Sequence, residues 1–353
     1  MIYIHVPFCH RKCMYCAFYS KPVHGADGYG RYVESLLEEM ERRKSEQGHP
    51  IKTIYFGGGT PSILPLAELE RVVDGLHHCF DLGRMEEMTL EANPEDLTEE
   101  RLSGLVRLGF DRLSIGIQSL DDEMLRLLNR RHTARQAIEA VENAYRAGFH
   151  NISVDFIYGL PKSAEFPENS DFLERVSHVS AYALTVEPGT ALAVQVQQGR
   201  VVLPDDDEVV RQYHALHDWL EAGGFRQYEV SNYARPGFES KHNSRYWDRT
   251  PYLGLGPGAH SFDGRRRMWN SQMDVESGKW TMESEEALTD ADAYNEMLMT
   301  ALRTTKGLPV GAVCIDKMQR YIDSGWIVVA DGCYRPTPEG LLHADGIAAA
   351  LFV

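Results

Sequence analysis

Short β-branched segments alternate with amphipathic segments through about the first two-thirds of the chain, and this alternation limits the possible folds most strongly. In residues 29–44, for example, Val33, Leu36, Leu37 and Met40 recur at helical spacing on one face. Repeated strand–helix units predict a parallel sheet with helical crossovers, either an open barrel or a doubly wound sheet. The predicted strands are 2–6, 53–56, 87–91, 112–117, 151–157 and 181–186; the predicted helices are 29–44, 66–78, 99–108, 133–147 and 167–178.

The pattern changes after a predicted helix at 205–222. Residues 225–270 are rich in Gly, Tyr, Trp, Asn and His and show little periodicity. From about residue 288 the pattern is helical again, and 318–338 predicts a helix and a small hairpin that turns at Asp331-Gly332, which resembles a winged-helix module. We therefore predict three regions: an α/β domain at 1–225, an irregular segment at 226–285 packed on it, and a C-terminal cap at 286–353.

The charge balance excludes several classes of partner. The 353 residues carry a formal net charge of −16, with 43% hydrophobic residues. This acidic excess opposes broad nucleic-acid binding and docking on an anionic membrane. There is no transmembrane-length apolar run, and no basic segment followed by an apolar stretch at the N-terminus, so we expect a protein of the reducing cytoplasm.

Three of the six cysteines form a tight cluster, Cys9, Cys13 and Cys16, just after the first predicted strand. Three thiolates on one short loop can bind three irons of a cubane iron–sulfur cluster. Structural zinc sites usually take four ligands from paired knuckles, and the sequence contains no second Cys-x2-Cys to complete one. The triplet predicts a cluster with one iron left open to a small molecule.

The Cys-x3-Cys-x2-Cys spacing resembles the radical S-adenosylmethionine (SAM) superfamily. That resemblance implies a [4Fe–4S] cluster on Cys9, Cys13 and Cys16, with SAM chelating the open iron. It also implies a partial parallel (β/α)6 barrel whose functional groups lie at the C-terminal ends of the strands, followed here by the smaller winged-helix-like domain.

A glycine-rich segment, Gly57-Gly58-Gly59-Thr60-Pro61, follows the second predicted strand. No Gly-Lys-Ser/Thr follows, so it is not a phosphate-binding loop. Within the superfamily it resembles the motif that contacts the SAM amino group, which implies that Gly58, Gly59 and Thr60 bind SAM. Glycine would let the backbone approach a ligand closely.

Four further motifs occur in order: Glu91-Ala-Asn-Pro94, Ser114-Ile-Gly-Ile-Gln118-Ser, Asn129-Arg130-Arg131-His132 and Val154-Asp155-Phe-Ile-Tyr-Gly-Leu-Pro161. Together they resemble the oxygen-independent coproporphyrinogen III oxidases and their HemW-type heme-chaperone relatives. The resemblance implies that Tyr3 and Tyr15 flank the cluster and SAM. It also implies SAM contacts from Glu91, Gln118, Arg130 and Asp155, and the adjoining Arg131 could replace Arg130.

Three features favour the heme-chaperone branch. Residue 18 is Phe where the oxidases have a fourth Cys, and the first strand begins at Ile2 without the long oxidase arm. The segment His242-Asn243-Ser-Arg-Tyr246-Trp247 resembles the HNxxYW motif of the chaperones, which implies heme contacts at His242, Asn243, Tyr246 and Trp247. Imidazole can ligate heme iron, and aromatic rings pack on the macrocycle. His260 is a further candidate, and His5 is expected to fix the cluster loop.

The resemblance implies a protein that binds a [4Fe–4S] cluster, SAM and heme and passes heme to acceptor hemoproteins, among them membrane respiratory enzymes. An electron donor such as flavodoxin or ferredoxin is expected, and the location is the cytoplasm or the periphery of the inner membrane. The alternative is an enzyme that decarboxylates coproporphyrinogen III propionates to vinyl groups. Radical modification of tRNA fits poorly, because no basic RNA-binding module is present.

Overall fold

A computed structural model describes residues 1–22, 27–161, 171–274 and 277–353. Its main feature is one nine-stranded sheet with the strand order β7-β8-β6-β5-β4-β3-β2-β1-β9. The strands of this sheet are β1 (Ile2–Val6), β2 (Thr53–Gly58), β3 (Glu87–Ala92), β4 (Arg112–Gln118), β5 (Asn151–Tyr158), β6 (His178–Ala183), β7 (Arg226–Glu229), β8 (Asn232–Ala234) and β9 (Leu253–Leu255).

Strands β1 to β6 lie side by side, parallel and in chain order. A doubly wound sheet reverses its strand order at a switch point, whereas a barrel does not. The observed order therefore selects the partial (β/α)6 barrel from the two predicted architectures and confirms the predicted fold class. Strand β9 extends the sheet in parallel beside β1, and the β7–β8 hairpin pairs antiparallel beyond β6.

The helices that cross over between the strands bury the apolar face of the sheet. Alternate strand residues such as Ile4, Phe56 and Leu90 pack in one core with helical residues such as Leu36 and Leu69. The helices of the chain are α1 (Asp27–Arg43), α2 (Leu66–Cys79), α3 (Glu99–Arg107), α4 (Asp122–Leu127), α5 (Ala134–Arg146), α6 (Ala191–Gln197), α7 (Asp206–Ala222), α8 (Lys241–Trp247), α9 (Asp290–Leu302), α10 (Ile315–Asp323), α11 (Pro338–Leu342) and α12 (Ala344–Ala349).

The other face of the barrel strands is polar. Cross-strand pairs on that face include Tyr55 with Glu91, and Ser153 with His178, whose side chains are hydrogen bonded. The alternation of apolar and polar residues along these strands thus separates an apolar layer between sheet and helices from a polar barrel interior. This interior leads up to the C-terminal ends of the strands.

The predicted helix at 167–178 is wrong in its described part. Residues 162–170 lie outside the described residues, Asp171–Arg175 forms a short 3-10 helix, and β6 already begins at His178. The strand replaces a helix there because His178 and Ser180 face the polar interior while Val179 and Ala181 face the core, a period of two. Helices α4 and α6 were not predicted.

The stretch 225–270 is more ordered than its composition predicts. It contains α8 and five short strands, and β9 is held in the main sheet by the buried Leu253 and Leu255. Its last two strands form a second, antiparallel sheet with a following strand. That sheet consists of β10 (His260–Phe262), β11 (Arg266–Asn270) and β12 (Met282–Ala287).

The C-terminal region has its own small core, as expected for a separate cap. Leu298, Met318, Ile327 and Tyr334 are buried together there. Its antiparallel sheet has the order β13-β15-β14 and comprises β13 (Leu308–Pro309), β14 (Ile327–Ala330) and β15 (Cys333–Pro336). Among the described residues, no helix is long and apolar enough to cross a membrane.

Candidate functional site

A cavity of about 500 Å³ opens at the C-terminal ends of the barrel strands. Eleven of the twelve residues predicted to hold the cluster and SAM line it, and Tyr3 is the exception. These eleven residues are Cys9, Cys13, Tyr15, Cys16, Gly58, Gly59, Thr60, Glu91, Gln118, Arg130 and Asp155. Residues from six separate segments of the sequence therefore meet at one place.

The cysteine loop is held in place by its own backbone. Cys9 N donates to Lys21 O at 3.1 Å, which closes the loop at its base. Near its tip, Met14 N donates to Leu128 O at 3.1 Å and Met14 O accepts from Leu192 N at 2.8 Å. These bonds pin the loop between the end of α4 and the start of α6, so the three thiols face the cavity without help from a disulfide.

The thiols fit a cubane cluster better than a single metal ion. In the described part of the chain, no three His, Cys, Asp or Glu side chains converge closely enough to share one ion. A cubane binds each cysteine at a different iron, so its ligands stand apart around the cluster. Thr60 Oγ1 donates to Cys9 Sγ at 3.4 Å and Arg130 Nη1 lies 3.2 Å from Cys13 Sγ, contacts that would stabilise the thiolate forms.

The glycine segment after β2 packs tightly against β1. A Cβ at Gly59 would lie 2.5 Å from Phe8 O, and one at Gly58, whose φ is +109°, would lie 2.6 Å from the His5 ring. Gly59 N donates to Val6 O at 2.8 Å. The glycines are thus needed for contact between β1 and the loop after β2, in addition to the predicted approach to a ligand.

Two carboxylates face the cavity from neighbouring parts of the barrel. Glu91 accepts from Tyr55 Oη at 2.8 Å and from Gly58 N at 3.2 Å, and Ser114 Oγ donates to Asp155 Oδ1 at 3.2 Å. Burial, together with the charge of Asp155, raises the pKa of Glu91 to about 7. Burial also raises the pKa of Asp155. A cationic ligand would favour the charged form of both groups.

Arg130 connects the cysteine loop with β3 and β4. Its Nη2 donates to Asn93 Oδ1 at 2.6 Å and to Gly116 O at 2.7 Å, and its buried Nε has no partner among the described residues. Arg131 turns away to Glu95, 3.7 Å distant, with 39% of its side chain exposed. Of the two adjoining arginines, Arg130 is therefore the one at the cavity.

The remaining predicted residues occupy supporting positions. Gln118 ends β4 at a register shift with a φ of 64°, which directs it into the cavity lining. Tyr3 lies below the cavity and its Oη is 3.2 Å from His5 Nδ1. His5 Nε2 is 3.1 Å from Tyr19 O, so this histidine joins β1 to the end of the cysteine loop.

Asn93 and Tyr182 are among the cavity residues that were not predicted from the sequence. Asn93 accepts from Arg130 and donates to Thr60 Oγ1 at 3.4 Å, linking two predicted SAM residues. Asn93 belongs to the Glu91-Ala-Asn-Pro94 motif, and this position could have predicted its place at the cavity. Tyr182, near the end of β6, also lines the cavity. It falls within the predicted strand 181–186, and its period-two position there, opposite the buried Ala181, was the available signal.

The HNxxYW segment lies at the opposite end of the barrel. Lys241 N and His242 N, at the start of α8, each donate to the Glu87 carboxylate at 2.9 Å. His242 Nδ1 is 3.0 Å from Thr53 Oγ1, and its Nε2 is 3.1 Å from Tyr246 Oη. Thr53 and Glu87 are the first residues of β2 and β3, so α8 closes the N-terminal end of the barrel.

In this arrangement the candidate heme ligand His242 is engaged within the protein. His242 is fully buried, both ring nitrogens have partners, and burial lowers its pKa to about 3. Asn243, Tyr246 and Trp247 are half-buried beside it. Heme contact at this motif stays a prediction, and iron ligation by His242 would require α8 to move. His260 is more open and stacks on Trp269, with ring centroids 5.9 Å apart.

Comparisons with known proteins agree with the geometry. Residues 3–170 match the family model of the radical SAM superfamily. A Mycobacterium tuberculosis protein named heme chaperone HemW is 35% identical over 99% of this chain and 94% of its own length. This chain belongs to the HemW family of radical SAM proteins. Membership of the superfamily implies a [4Fe–4S] cluster and SAM, which the cysteine loop and the cavity above it fit.

Two further comparisons extend this result. HemW of Escherichia coli is 36% identical over 73% of this chain and 69% of its own length. The solved coproporphyrinogen III oxidase HemN of Escherichia coli, a radical SAM enzyme, superposes with a TM-score of 0.82 at 22% identity, over 100% of this chain and 89% of that one. At that identity the superposition establishes a shared fold.

Proposed function

We propose that this HemW-family protein binds heme and passes it to acceptor hemoproteins, while a [4Fe–4S] cluster and SAM occupy the cavity. The observation that carries the proposal is the similarity over nearly the full chain to proteins named heme chaperones. It is supported by a cavity in which a three-cysteine loop faces two carboxylates and an arginine.

Cys9, Cys13 and Cys16 would bind three irons of the cluster, which when bound supplies one electron to SAM. Thr60 and Arg130 would hydrogen bond to the ligand sulfurs, contacts that tune the potential of such clusters.

SAM would be held by charge and by close backbone contact. Glu91 and Asp155 suit the ribose hydroxyls and the amino group, whereas the unpartnered Arg130 Nε suits a carboxylate. Gly58, Gly59 and Thr60 would line the amino-acid end, with Gln118 and Tyr15 enclosing the ligand, while Tyr3 would act from outside the lining through its bond to His5. The Glu91 carboxylate would be charged in the complex because it faces a cation.

Heme contact is proposed at the HNxxYW segment, with His242 as the candidate iron ligand. In the structure its ring bonds to Thr53 and Tyr246, and Glu87 holds the start of α8. Heme binding through His242 would therefore replace these bonds, and release of heme would restore them. Acceptors would include membrane respiratory enzymes, the electron donor would be a flavodoxin or ferredoxin, and the protein would act in the cytoplasm.

Oxidation of coproporphyrinogen III is the second candidate function. The fold shared with HemN, a coproporphyrinogen III oxidase, favours it. Against it stands Phe18, which occupies the place of the fourth oxidase cysteine and lines the cavity with 70% of its surface exposed. A thiol at this position could react or bind metal, and a phenyl ring cannot.

Parallel anaerobic assays of one reconstituted preparation separate the two functions. The chaperone proposal predicts a saturable Soret shift with hemin and no catalytic formation of vinyl porphyrin from coproporphyrinogen III with SAM and a reductant. Many turnovers of porphyrin product without a hemin-induced shift would reverse the assignment. Cys13→Ala serves as the control, since it should lack the cluster in both assays.

A further inference from the structure

Arg112 is a buried cation inside the barrel, beneath the cavity. It is 1% exposed and opens β4, where it pairs in register with Thr89 of β3 and Asn151 of β5. Ser114, two residues further along the same face, lines the cavity and bonds to Asp155. Because side chains alternate along a strand, Arg112 faces the same polar interior.

The guanidinium has incomplete hydrogen bonding. Its Nε and Nη1 have no partner among the residues that the structure describes, and the same holds for Oγ1 of the paired Thr89. A buried cation without compensation is costly, so it is retained in a fold only where other charges offset it. Glu91 and Asp155 lie further along the same face of the two neighbouring strands, Glu91 two residues beyond Thr89 in β3 and Asp155 four residues beyond Asn151 in β5. The buried Glu87, two residues before Thr89, is already bonded to the backbone of α8.

Apart from Arg112 and the two carboxylates themselves, the groups that face Glu91 and Asp155 are neutral phenols and hydroxyls and one arginine that has other partners. Glu91 is faced by phenols from four elements and by Asp155 and Arg112. Those phenols are Tyr3 of β1, Tyr55 of β2, Tyr182 of β6 and Tyr246 of α8. Asp155 is faced by Tyr55, Tyr182, Arg112 and Arg130, with Ser114 and Ser180 as hydrogen-bond donors.

Only two cations therefore act on the pair in the described structure, and Arg130 is committed to Cys13, Asn93 and Gly116. Arg112 favours the charged form of both carboxylates from below. The histidines nearby offer no substitute, since burial lowers the pKa of His178 well below its usual range and that of His242 to about 3.

We propose that Arg112 is a positioning residue whose charge favours the ionised forms of Glu91 and Asp155 for binding SAM, a role that rests on the proposed function of those two residues. Arg112 acts through the carboxylates and does not itself line the cavity. The same charge would help balance two adjacent carboxylates before SAM arrives. Without it, the two carboxylates would hold a proton up to a higher pH, and SAM would have to displace that proton.

The test measures SAM binding to the reconstituted protein by equilibrium dialysis between about pH 6 and pH 9. Arg112→Gln removes the charge and keeps a polar side chain, whereas Arg112→Lys keeps the charge. We expect Arg112→Gln to bind SAM about tenfold more weakly at pH 7, with recovery toward pH 9 as the carboxylates ionise. Arg112→Lys should keep the wild-type midpoint to within about half a pH unit.

Arg43→Met is the matched control, because Arg43 is also buried but lies in α1, paired with Glu39 and Glu46 outside the barrel. It should lower stability without moving the pH midpoint. An unshifted midpoint in Arg112→Gln, or equal weakening at every pH, would overturn the proposal. If Arg112→Gln does not fold, a pH midpoint of SAM binding that is raised by about one unit in Arg112→Lys would overturn the proposal. Failure of the wild-type protein to bind SAM would instead contradict the proposed function.

Discussion

Arg130 Nη1 lies 3.2 Å from Cys13 Sγ, although the two residues are 117 positions apart in the sequence. The same guanidinium donates to Asn93 and to the Gly116 carbonyl, so one side chain ties the cysteine loop to β3 and β4. The cysteine loop and the strand ends proposed to bind SAM are thereby joined. Loss of this side chain should affect both cofactors.

Arg130→Met should weaken SAM binding by about tenfold or more, because hydrogen bonds to charged groups contribute about 1.5–3 kcal/mol. The neighbouring Arg131→Met is the matched control, since its side chain pairs with Glu95 away from the cavity. Equilibrium dialysis with SAM on both variants checks the prediction. An equal loss of SAM affinity in the two variants would show that SAM binding does not depend on the specific contacts of Arg130.

Cys13→Ala should abolish the iron–sulfur cluster, because a three-cysteine site has no spare thiolate in the loop. Cys79→Ala is the control; this thiol lies at the end of α2 and contacts Glu41, far from the cavity lining. Iron and sulfide per chain, with the visible absorption of the cluster, give the measurement. A brown Cys13→Ala protein with normal iron content would disprove the ligand assignment.

The pKa of Glu91 near 7 predicts a pH dependence for SAM binding. A cationic ligand requires the carboxylate, so affinity should fall as the pH drops below about 7 and a proton should be released on binding near that pH. In the absence of SAM, the raised pKa of Glu91 gives folding stability the opposite pH dependence. The contribution of Glu91 to stability is fully present below pH 4.5, its ordinary pKa, and is lost as the pH rises to about 7.

Calorimetry of SAM binding in buffers of different ionisation enthalpy measures the released proton. Glu91→Gln should bind SAM weakly and release fewer protons than the wild type at pH 7. The matched variant is Glu95→Gln, whose carboxylate bonds to His132 outside the cavity lining. Unchanged proton release in Glu91→Gln would mean that another group titrates.

His242→Ala should lower the free energy of unfolding by about 1–3 kcal/mol, because Thr53 Oγ1 loses its partner in a buried site. Tyr246→Phe removes only the bond to Nε2, so the expected loss is about 1 kcal/mol. Chemical denaturation of both variants, with the exposed His260→Ala as control, provides the comparison. If His242→Ala has wild-type stability, α8 does not depend on this ring to close the barrel.

Much of the barrel could be predicted from the sequence because its signals are local and periodic. Strands with buried residues on one face, such as β2 and β4, and helices with an apolar stripe, such as α2 and α5, formed close to their expected bounds. The cavity residues follow strand ends, and parallel strands bring their C-terminal ends to one edge. Eleven of twelve residues therefore met as expected.

The failures come from long-range contacts. Strand β9 is three residues long and is stabilised by pairing with β1, some 250 positions away, which leaves no periodic signal in its own sequence. The chemistry of His242, Tyr246 and Trp247 suits heme, but residue type does not reveal which end of a barrel a segment covers. Only the bonds of α8 to Thr53 and Glu87 place it at the N-terminal end.

Heme transfer tests the central claim most directly. The anaerobically reconstituted protein is loaded with hemin, freed of excess ligand, and mixed with an apo-hemoprotein that is separable by size. We predict that heme appears in the acceptor, with its native absorption spectrum, faster than from hemin-loaded serum albumin as a passive carrier. Heme that stays on the protein, or reaches the acceptor no faster than from albumin, would contradict the account.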